Sequence, residues 1–469
     1  MDLFPSLGLC YLSSYLKKKL GGKNLNINLV EFYNIEFTRI KLKKILKHHP
    51  DLIGFTFTTS HANQVYELAR DIKAVKNIPI VIGGQHITPL PATLPEYIDV
   101  GVLHEGEETF LKLVELLREK GRLEGDDLKN IEGICFHQGE KVAISNPRSF
   151  IQDIDSIPYP DRTILDMHRY LSPTHLFATR QIYRGTSICT SRGCPYRCVF
   201  CQSNERWGAI RYHSPEYVVG EIEHLKKTFP QLNGIFIMDD LFSAHKQRLA
   251  RITELMRQKG LSKDIQFALT ARANIIDREI VRLLKEMNTR QVQIGFESNS
   301  PRMLSFLKGD SVTVEDNQRA VNLVLEAGMD IDAQFMFGSP GETESDIQKT
   351  VDFIKANRFS RINTAVTIPL PGTKLWEIAR ERGLANENNS DWSKFEIGYV
   401  GQHEVTYIDE CIPQDRFFKI MAENRAYIVS HVNYAPKIYN YDAYYLLLKL
   451  LHRIKRIFNR LHFRIKQAI

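Results

Sequence analysis

Three cysteines with the spacing CxxxCxxC are the residues of this sequence best suited to chemistry. Cys194, Cys198 and Cys201 share one short segment, and Cys189 precedes them. Cysteine thiolates are the usual ligands of a cubane 4Fe-4S cluster, so three on one loop can bind three irons and leave the fourth open. An open position is typical of a catalytic metal site, and the amine and carboxylate of a small molecule can chelate it. The alternative is a zinc site with Cys189 or a nearby histidine as fourth ligand.

The composition is that of an ordinary globular protein. The chain has 469 residues, of which 43% are hydrophobic and 25% charged, which excludes a disordered or fibrous protein. The formal charge is +7, and residues 443–469 alone carry seven Lys and Arg without any Asp or Glu, so no nucleic-acid partner is expected. No apolar stretch has the length of a membrane span, and no signal peptide is recognisable. We therefore expect a cytoplasmic protein whose seven cysteines stay reduced.

The first 125 residues alternate short β-branched runs, such as Asn26–Phe32, with amphipathic segments. This alternation predicts a parallel sheet covered by helices, with ligands at the carboxyl ends of its strands. Residues 7–20 have the pattern of a helix that follows a first strand, but only six residues precede them. We therefore expect a sheet that lacks this strand, so that the domain either is open on one side or begins upstream of Met1.

A second series of strands and helices begins at Ser187 and ends near Thr373. Its six βα units predict a partial (β/α)6 barrel over residues 181–375, with the active site at the carboxyl ends of the strands. Residues 126–180 are interpreted as a hairpin and a linker rich in Pro and Asp. Residues 376–469 form a C-terminal segment, in which a basic amphipathic helix over 447–465 either lies on an anionic membrane surface or packs on the barrel.

The cysteine loop resembles that of the radical S-adenosylmethionine (SAM) superfamily, including Phe200 before the last cysteine. The resemblance extends to the subgroup with an N-terminal cobalamin-binding domain, which includes methyltransferases and the anaerobic protoporphyrin ester cyclase. It rests on the segments Pro5-Ser6-Leu7-Gly8-Leu9, Gly83-Gly84-Gln85-His86, Glu105-Gly106-Glu107, Met238-Asp239-Asp240, Gly295-Phe296-Glu297-Ser298 and Gly338-Ser339-Pro340-Gly341. It implies an α/β fold, with a Rossmann-like cobalamin-binding domain over residues 1–125 ahead of the barrel.

The resemblance also implies the roles of residues around SAM. The reduced cluster, held by the three cysteines, would cleave SAM to methionine and a 5′-deoxyadenosyl radical that abstracts hydrogen from the substrate. The implied SAM contacts are Phe200, Asp239 or Asp240 at the ammonium, Arg272 at the carboxylate, Glu297 and Ser298 at the ribose, and Gly338, Pro340 and Gly341 at the adenine. Each has an ordinary alternative, since strand-end acids cap helices, arginines lie at solvated rims and glycines occur in plain βα turns.

Cobalamin binding is implied without a histidine ligand to cobalt. The signature Asp-x-His-x-x-Gly, whose histidine binds cobalt in many cobalamin proteins, does not occur. The residues that would contact the cofactor are Ser6, Thr58, Ser60, Gly83, Gly84, His86, Glu105 and Gly106. If the expected loss of the first strand has removed this function, the chain is instead a cobalamin-free radical SAM enzyme with a vestigial N-terminal domain.

We expect an enzyme that uses a 4Fe-4S cluster, SAM and cobalamin to methylate, cyclise or rearrange an unactivated carbon. The substrate would be a small molecule or a lipid, the electron donor a flavodoxin or ferredoxin, and the basic helix would make the protein peripheral at the inner membrane surface. Two other classes fit less well. A tRNA methylthiotransferase needs a second three-cysteine cluster, but only Cys10 and Cys135 lie in the N-terminal domain and hairpin. A non-catalytic iron-sulfur protein would not need the strand-end acids.

Overall fold

The computed structural model describes residues 4–22, 25–31, 38–174, 177, 181–388, 391–396 and 405–430. The basic amphipathic helix predicted over 447–465 lies outside these residues. Among the helices within them, none has the length and apolar character needed to cross a membrane.

The N-terminal half contains a five-stranded sheet in the order β1-β2-β3-β4-β5. Its strands are β1 (Ile53–Thr56), β2 (Ile80–Gly83), β3 (Val100–Val102), β4 (Ile134–Gln138) and β5 (Lys141–Ile144). The first three strands are parallel. The last two form the predicted hairpin, which pairs with β3 in antiparallel fashion and so extends the first sheet.

Helices cover both faces of this sheet, as the alternating pattern predicts. They are α1 (Leu7–Leu20), α2 (Thr38–Leu46), α3 (Ala62–Val75) and α4 (Glu107–Lys120). Successive side chains of a strand point to opposite faces, so Ile80 and Ile82 enter one apolar cluster with Ile72 of α3. Val81 enters another cluster with Leu113 of α4. Burial on both faces explains why β2 is apolar throughout.

The sheet is open at β1, as expected. Within the described residues β1 is paired with β2 alone. The prediction of a strand over Asn26–Phe32 is wrong for residues 26–31, which have no regular secondary structure. A strand is held by hydrogen bonds to a neighbour, and the pattern of apolar residues in this segment does not by itself supply that neighbour.

The second half contains a six-stranded parallel sheet in the order β13-β12-β11-β10-β9-β6. Its strands are β6 (Gly185–Ile188), β9 (Gly234–Ile237), β10 (Gln266–Ala271), β11 (Thr289–Glu297), β12 (Asp330–Phe337) and β13 (Arg361–Val366), and a small antiparallel pair, β7 (Ser191–Arg192) and β8 (Arg211–Tyr212), follows β6. Neighbouring strands are consecutive βα units, which confirms the predicted partial barrel.

Most helices of the second half lie between barrel strands, and the last two follow the final strand. They are α5 (Met167–Tyr170), α6 (Ser203–Trp207), α7 (Pro215–Thr228), α8 (Lys246–Gln258), α9 (Arg278–Glu286), α10 (Pro301–Lys308), α11 (Val314–Glu326), α12 (Glu344–Ala356), α13 (Lys374–Glu381) and α14 (Gln414–Ser430). Side chains cap several of them at their N-termini. Thr313 and Thr343 each form a capping box with the acid three residues later, which fixes where the preceding loop ends and the helix begins.

The C-terminal segment connects the two halves. Trp376 of α13 and Trp392 lie in one apolar cluster with Leu90 of the N-terminal domain. The Trp392 N–H donates a hydrogen bond to Asn63 Oδ1 at 3.1 Å. The two sheets are therefore held together by contacts that are distant in sequence.

Replacing Gly101 in β3 by alanine should destabilise the N-terminal domain. The added Cβ would lie 2.5 Å from Cys135 Sγ and 2.9 Å from Ile87 Cγ1, and both side chains are fully buried. We expect Gly101→Ala to lower the free energy of unfolding by about 1–3 kcal/mol, as overpacking of a core usually does, measured by urea unfolding. Gly8→Ala in α1 is the matched control because its Cβ meets nothing within 4 Å. Equal midpoints for the two variants would contradict this expectation.

Candidate functional site

The cysteine loop lies at the carboxyl end of the barrel and is tied to two helices. The Val199 N–H donates to the Leu307 carbonyl at 3.1 Å, and the Leu375 N–H donates to the Val199 carbonyl at 3.2 Å. The Cys201 N–H donates to the Cys198 carbonyl at 3.1 Å and closes a turn. The backbone that carries the thiols is thus fixed by α10 and α13.

The three thiols form a donor set that fits an iron-sulfur cluster. Burial raises the pKa of the Cys201 thiol to about 11, and the nearby Cys198 and Cys194 contribute to the rise. Burial likewise raises the pKa of Cys194. Each thiol therefore lies within electrostatic reach of the others, and iron would displace their protons on binding.

Cys189, the fourth cysteine of the segment, belongs to a different environment. Its side chain packs against the apolar cluster that contains Leu7 and Tyr11 of α1. Burial raises the pKa of its thiol to about 12. This packing does not support the zinc alternative, in which Cys189 completes the ligand set.

Asp239 and Asp240, the two alternatives for the SAM ammonium, have different surroundings. The Asp239 carboxylate is buried and accepts hydrogen bonds from the N–H and hydroxyl groups of both Thr190 and Ser191, at 2.5–3.1 Å. It thereby fixes the turn between β6 and β7. Asp240 accepts a hydrogen bond from Ser203 Oγ at 2.6 Å and lines an open cavity. Of the two carboxylates, the geometry favours Asp240 as a ligand contact.

Arg272, expected at the SAM carboxylate, contacts the cysteine loop itself. Its Nη1 lies 3.0 Å from Cys198 Sγ, and its guanidinium covers the Tyr196 ring at 4.1 Å from the centroid. It is buried rather than on a solvated rim.

Glu297 and Ser298, expected at the ribose, are buried at the end of β11. Glu297 has a left-handed backbone, with φ of 62°, and its Oε1 lies 3.6 Å from Lys308 Nζ. Burial raises the pKa of Glu297, whereas Lys308 and Arg272 lower it. The Ser298 hydroxyl is 3.1 Å from Thr350 Oγ1 and accepts from the Ser300 N–H at 3.1 Å. These hydrogen bonds connect Ser298 to α12 and to the residue that precedes α10.

The turn expected at the adenine, residues 338–341, packs against the C-terminal segment. Gly338 has φ of 76°, and a Cβ there would lie 2.9 Å from the Tyr407 ring. The Gly341 N–H donates to Asp409 Oδ1 at 3.0 Å, and Pro340 is buried. Packing thus accounts for these residues without a ligand. Phe200 contacts the apolar cluster of Trp376 while staying partly exposed.

A cavity of about 2060 Å³ extends from the open edge of β1, where Ile45 and Asn77 line it, to the space between the two sheets. Ligand pockets for small molecules usually measure about 300–1,000 Å³, and only part of this larger volume lies between the sheets. The cavity is bordered on the N-terminal side by predicted residues and on the barrel side by residues near the cysteine loop, which are Ser6, Thr58, Gly83, Gly84, Glu105, Gly106, Arg192, Trp207, Met238 and Asp240. Of the residues predicted at the cluster and SAM, Asp240 lines this cavity, whereas Cys194, Cys198 and Cys201 do not.

Gly84 has a conformation that its position requires. Its φ is 105°, and a Cβ would lie 2.8 Å from Thr56 Oγ1. Only glycine fits this turn, which lets the backbone reach the cavity wall. Thr58 and Ser60 share hydrogen bonds with His61, and Ser6 Oγ donates to Glu31 Oε1 at 3.2 Å.

His86, predicted as a cobalamin contact, is not among the residues that line this cavity. It is fully buried, and its ring lies 4.7 Å from that of Trp392 and within 6 Å of Phe57 and Tyr66. Burial lowers its pKa to about 4, so the ring is neutral. The geometry corrects this prediction, because docking of the C-terminal segment on the N-terminal domain encloses the side chain. Ser60 likewise is not among the cavity-lining residues.

Glu105, also predicted at cobalamin, belongs to a buried network of charges between the domains. Arg192, two residues before Cys194, contacts Glu105 Oε1 at 2.7 Å and Glu107 Oε1 at 2.5 Å. Arg211 contacts Glu105 Oε2 at 2.8 Å. Burial raises the pKa of Glu105, but the two arginines outweigh it and hold this pKa below its usual range.

Arg192, Arg211 and Glu107 were not predicted as site residues. Two features of the sequence could have indicated a role for these residues. Arg192 adjoins the cysteine loop, and Glu107 belongs to the segment Glu105-Gly106-Glu107, which carries part of the family resemblance. Their pairings join positions 85 to 106 residues apart, which no local pattern indicates.

Comparisons with known proteins agree with this architecture. The radical SAM superfamily profile matches residues 188–354, and the B12 binding domain profile matches residues 3–114. The chain is 33% identical over 397 residues to an uncharacterized methyltransferase of Pyrococcus horikoshii, with 83% of this chain and 81% of that protein covered. It is 26% identical to the anaerobic magnesium-protoporphyrin IX monomethyl ester cyclase of Rubrivivax gelatinosus, over 80% of this chain but only 66% of the cyclase.

Two solved structures share the fold. The radical SAM methyltransferase TsrM from Kitasatospora setae, solved with cobalamin and a [4Fe-4S] cluster bound, has a TM-score of 0.62 at 21% identity, covering 79% of this chain and 72% of TsrM. The cobalamin-dependent radical enzyme OxsB, solved with aqua-cobalamin and SAM bound, has a TM-score of 0.61 at 19% identity, covering 91% of this chain and 59% of OxsB.

A cysteine loop at the carboxyl end of a partial parallel barrel, in a chain that also carries a Rossmann-like domain, is the arrangement of a radical enzyme with a second cofactor domain. The chain belongs to the radical SAM superfamily, in the group that carries an N-terminal B12-binding domain. The predicted family, fold class and enzymatic nature are thereby confirmed, and the family match over the cysteine loop favours an iron-sulfur cluster over zinc.

Replacing Arg192 by methionine should destabilise the joint between the domains. The substitution leaves Glu105 and Glu107 buried without Arg192, and breaking a buried ion pair typically costs about 3–5 kcal/mol. We expect Arg192→Met to lower the free energy of unfolding of the apo-protein by this amount, measured by urea unfolding at pH 7. The control Arg122→Met removes an exposed pair with Glu124 and should change stability by less than about 1 kcal/mol. Two indistinguishable variants would show that the network does not join the domains.

Proposed function

We propose that this enzyme methylates an unactivated carbon of a small-molecule or lipid substrate, using SAM, a 4Fe-4S cluster and cobalamin. The observation that carries the proposal is the shared cavity, which both the strand ends of the N-terminal sheet and the barrel residues beside the cysteine loop line. Methyl transfer is supported by the 33% identity to a methyltransferase. When bound, the cluster supplies the electron that cleaves SAM, and cobalamin supplies the methyl group.

The residues of the barrel would hold the cluster and SAM. The thiolates of Cys194, Cys198 and Cys201 would each bind one iron. The Asp240 carboxylate faces the same cavity and would accept hydrogen bonds from the methionine ammonium, a charge-assisted contact. Phe200 is partly exposed and would offer a ring face to SAM.

The residues of the N-terminal domain would hold cobalamin. Gly83 ends β2 at the cavity wall, and Gly84 follows it; both allow close approach of the backbone. The hydroxyls of Ser6 and Thr58 border the same space and would bind the polar groups of the cofactor. Because Asp240 lines the same cavity, these residues would place cobalamin beside the substrate space that SAM also reaches.

Cyclisation is the second candidate. It is supported by the 26% identity to an anaerobic ester cyclase, and it uses the same cofactors without net methyl transfer. We further propose a reduced flavodoxin or ferredoxin as electron donor, a peripheral contact with the inner membrane surface, and domain limits at residues 180 and 375, with the hairpin β4-β5 belonging to the first domain because it extends the first sheet.

Product analysis distinguishes methylation from cyclisation. Protein produced and kept without oxygen, with cobalamin supplied, should contain about four irons and one cobalt. With its substrate, a methyltransferase should release S-adenosylhomocysteine and 5′-deoxyadenosine in equal amounts, measured by mass spectrometry. Formation of 5′-deoxyadenosine without S-adenosylhomocysteine would favour cyclisation. Cys198→Ala should lose the cluster and both products, whereas Cys411→Ala, which removes an exposed thiol, should retain them.

Replacing Asp240 by asparagine should weaken SAM binding while leaving the cluster intact. Hydrogen bonds to charged groups contribute about 1.5–3 kcal/mol, so we expect Asp240→Asn to raise the SAM concentration that half-saturates the change in the cluster's electron paramagnetic resonance (EPR) spectrum by about 10- to 100-fold. Asp126→Asn, at a fully exposed carboxylate, is the control. Unchanged saturation in Asp240→Asn would rule out its contact with the ammonium.

A further inference from the structure

Arg272 holds a fixed position against one thiol of the cysteine loop. It follows β10, and its Nη1 lies 3.0 Å from Cys198 Sγ. Its Nη2 donates to the Lys308 carbonyl at 2.9 Å and to Ser311 Oγ at 3.1 Å. These three contacts of the two terminal nitrogens fix the planar guanidinium. The Tyr196 ring covers its face, with the ring centroid 4.1 Å from the guanidinium carbon.

A second basic side chain, paired with a carboxylate, lies beside Arg272. Lys308 is buried beside Arg272 and interacts with Cys198. Glu297 is the carboxylate that faces this pair, at 3.6 Å from Lys308 Nζ. Arg272 is therefore the side chain whose charge directly contacts the Cys198 thiol, in a site where burial weakens screening by water.

We propose that Arg272 raises the reduction potential of the cluster through its contact with Cys198. The inference rests on the proposed function, in which the three cysteines bind a 4Fe-4S cluster. Reduction transfers one electron from a flavodoxin- or ferredoxin-type donor to the cluster, from the 2+ to the 1+ state, with no bond made or broken. The added negative charge is stabilised by an adjacent cation, and hydrogen bonds to cluster sulfur are a known means of tuning the potential.

This role differs from the one expected from the sequence, in which Arg272 binds the SAM carboxylate. A carboxylate partner would make Arg272 important only when SAM is present. A contact with the cluster thiolate acts on the cluster in the absence of SAM. The two roles therefore separate in a measurement made without SAM.

The test is the midpoint potential of the cluster in Arg272→Gln, measured without SAM by anaerobic redox titration monitored by EPR. We expect full iron content and a midpoint potential more negative than that of the wild type. Arg319→Gln is the control. Arg319 donates to the Asn274 carbonyl at 3.3 Å, two residues beyond Arg272, so its removal takes away a nearby charge without touching a thiol and should leave the potential unchanged.

Arg272→Lys keeps the charge but cannot reproduce the forked contacts of the guanidinium. We expect a smaller shift in the same direction, and this variant decides the question if Arg272→Gln does not assemble the cluster. A wild-type potential in whichever variant holds the cluster would overturn the proposal, as would an equal shift in Arg319→Gln. A normal potential combined with weaker SAM binding would assign Arg272 to the SAM carboxylate. A wild-type protein that binds no cluster would overturn the proposed function as well.

Discussion

The buried charges between the two domains are the constraint on which the rest of the site depends. Arg192 and Arg211 come from the barrel side, and Glu105 and Glu107 from the N-terminal domain. Charges removed from water are stable only when each is paired in good geometry. Since Arg192 lies two residues before Cys194, the pairing that joins the domains also sets the position of the cysteine loop relative to the first sheet.

The opposite side of the loop is fixed by the barrel. Backbone hydrogen bonds tie Val199 to α10 and α13, and Arg272 contacts the Cys198 thiol. A cluster bound there would lie beside Arg272, on a loop whose preceding residue Arg192 is paired with the N-terminal domain. Rigidity of this kind suits a reactive centre, because it keeps the cofactor oriented toward the substrate space and limits access of water.

The cavity between the sheets follows from the direction of their strands. In a parallel sheet the carboxyl ends of the strands lie at the same edge of the sheet. The loops that follow the strands form the surface there, and ligands bind among them. Here two such edges face one another, so that Gly83 and Gly84 lie across the same space from Asp240. Two cofactors and a substrate can then meet without either sheet being interrupted.

The sequence by itself determined the spacing of the three cysteines, the two series of strands and helices and the family, because residue spacing and hydrophobic periodicity are local properties. It also predicted cofactor contacts at Asp240 and Gly84, which follow strands, and both line the cavity. Tertiary structure decided the rest. The Asp239 carboxylate is occupied by hydrogen bonds from Thr190 and Ser191. The His86 ring is covered by Trp392. Glu105 pairs with arginines that lie far along the chain. A polar side chain binds the partner that the fold places next to it. Because such a partner can be far away in the sequence, no local sequence pattern predicts which one it will be.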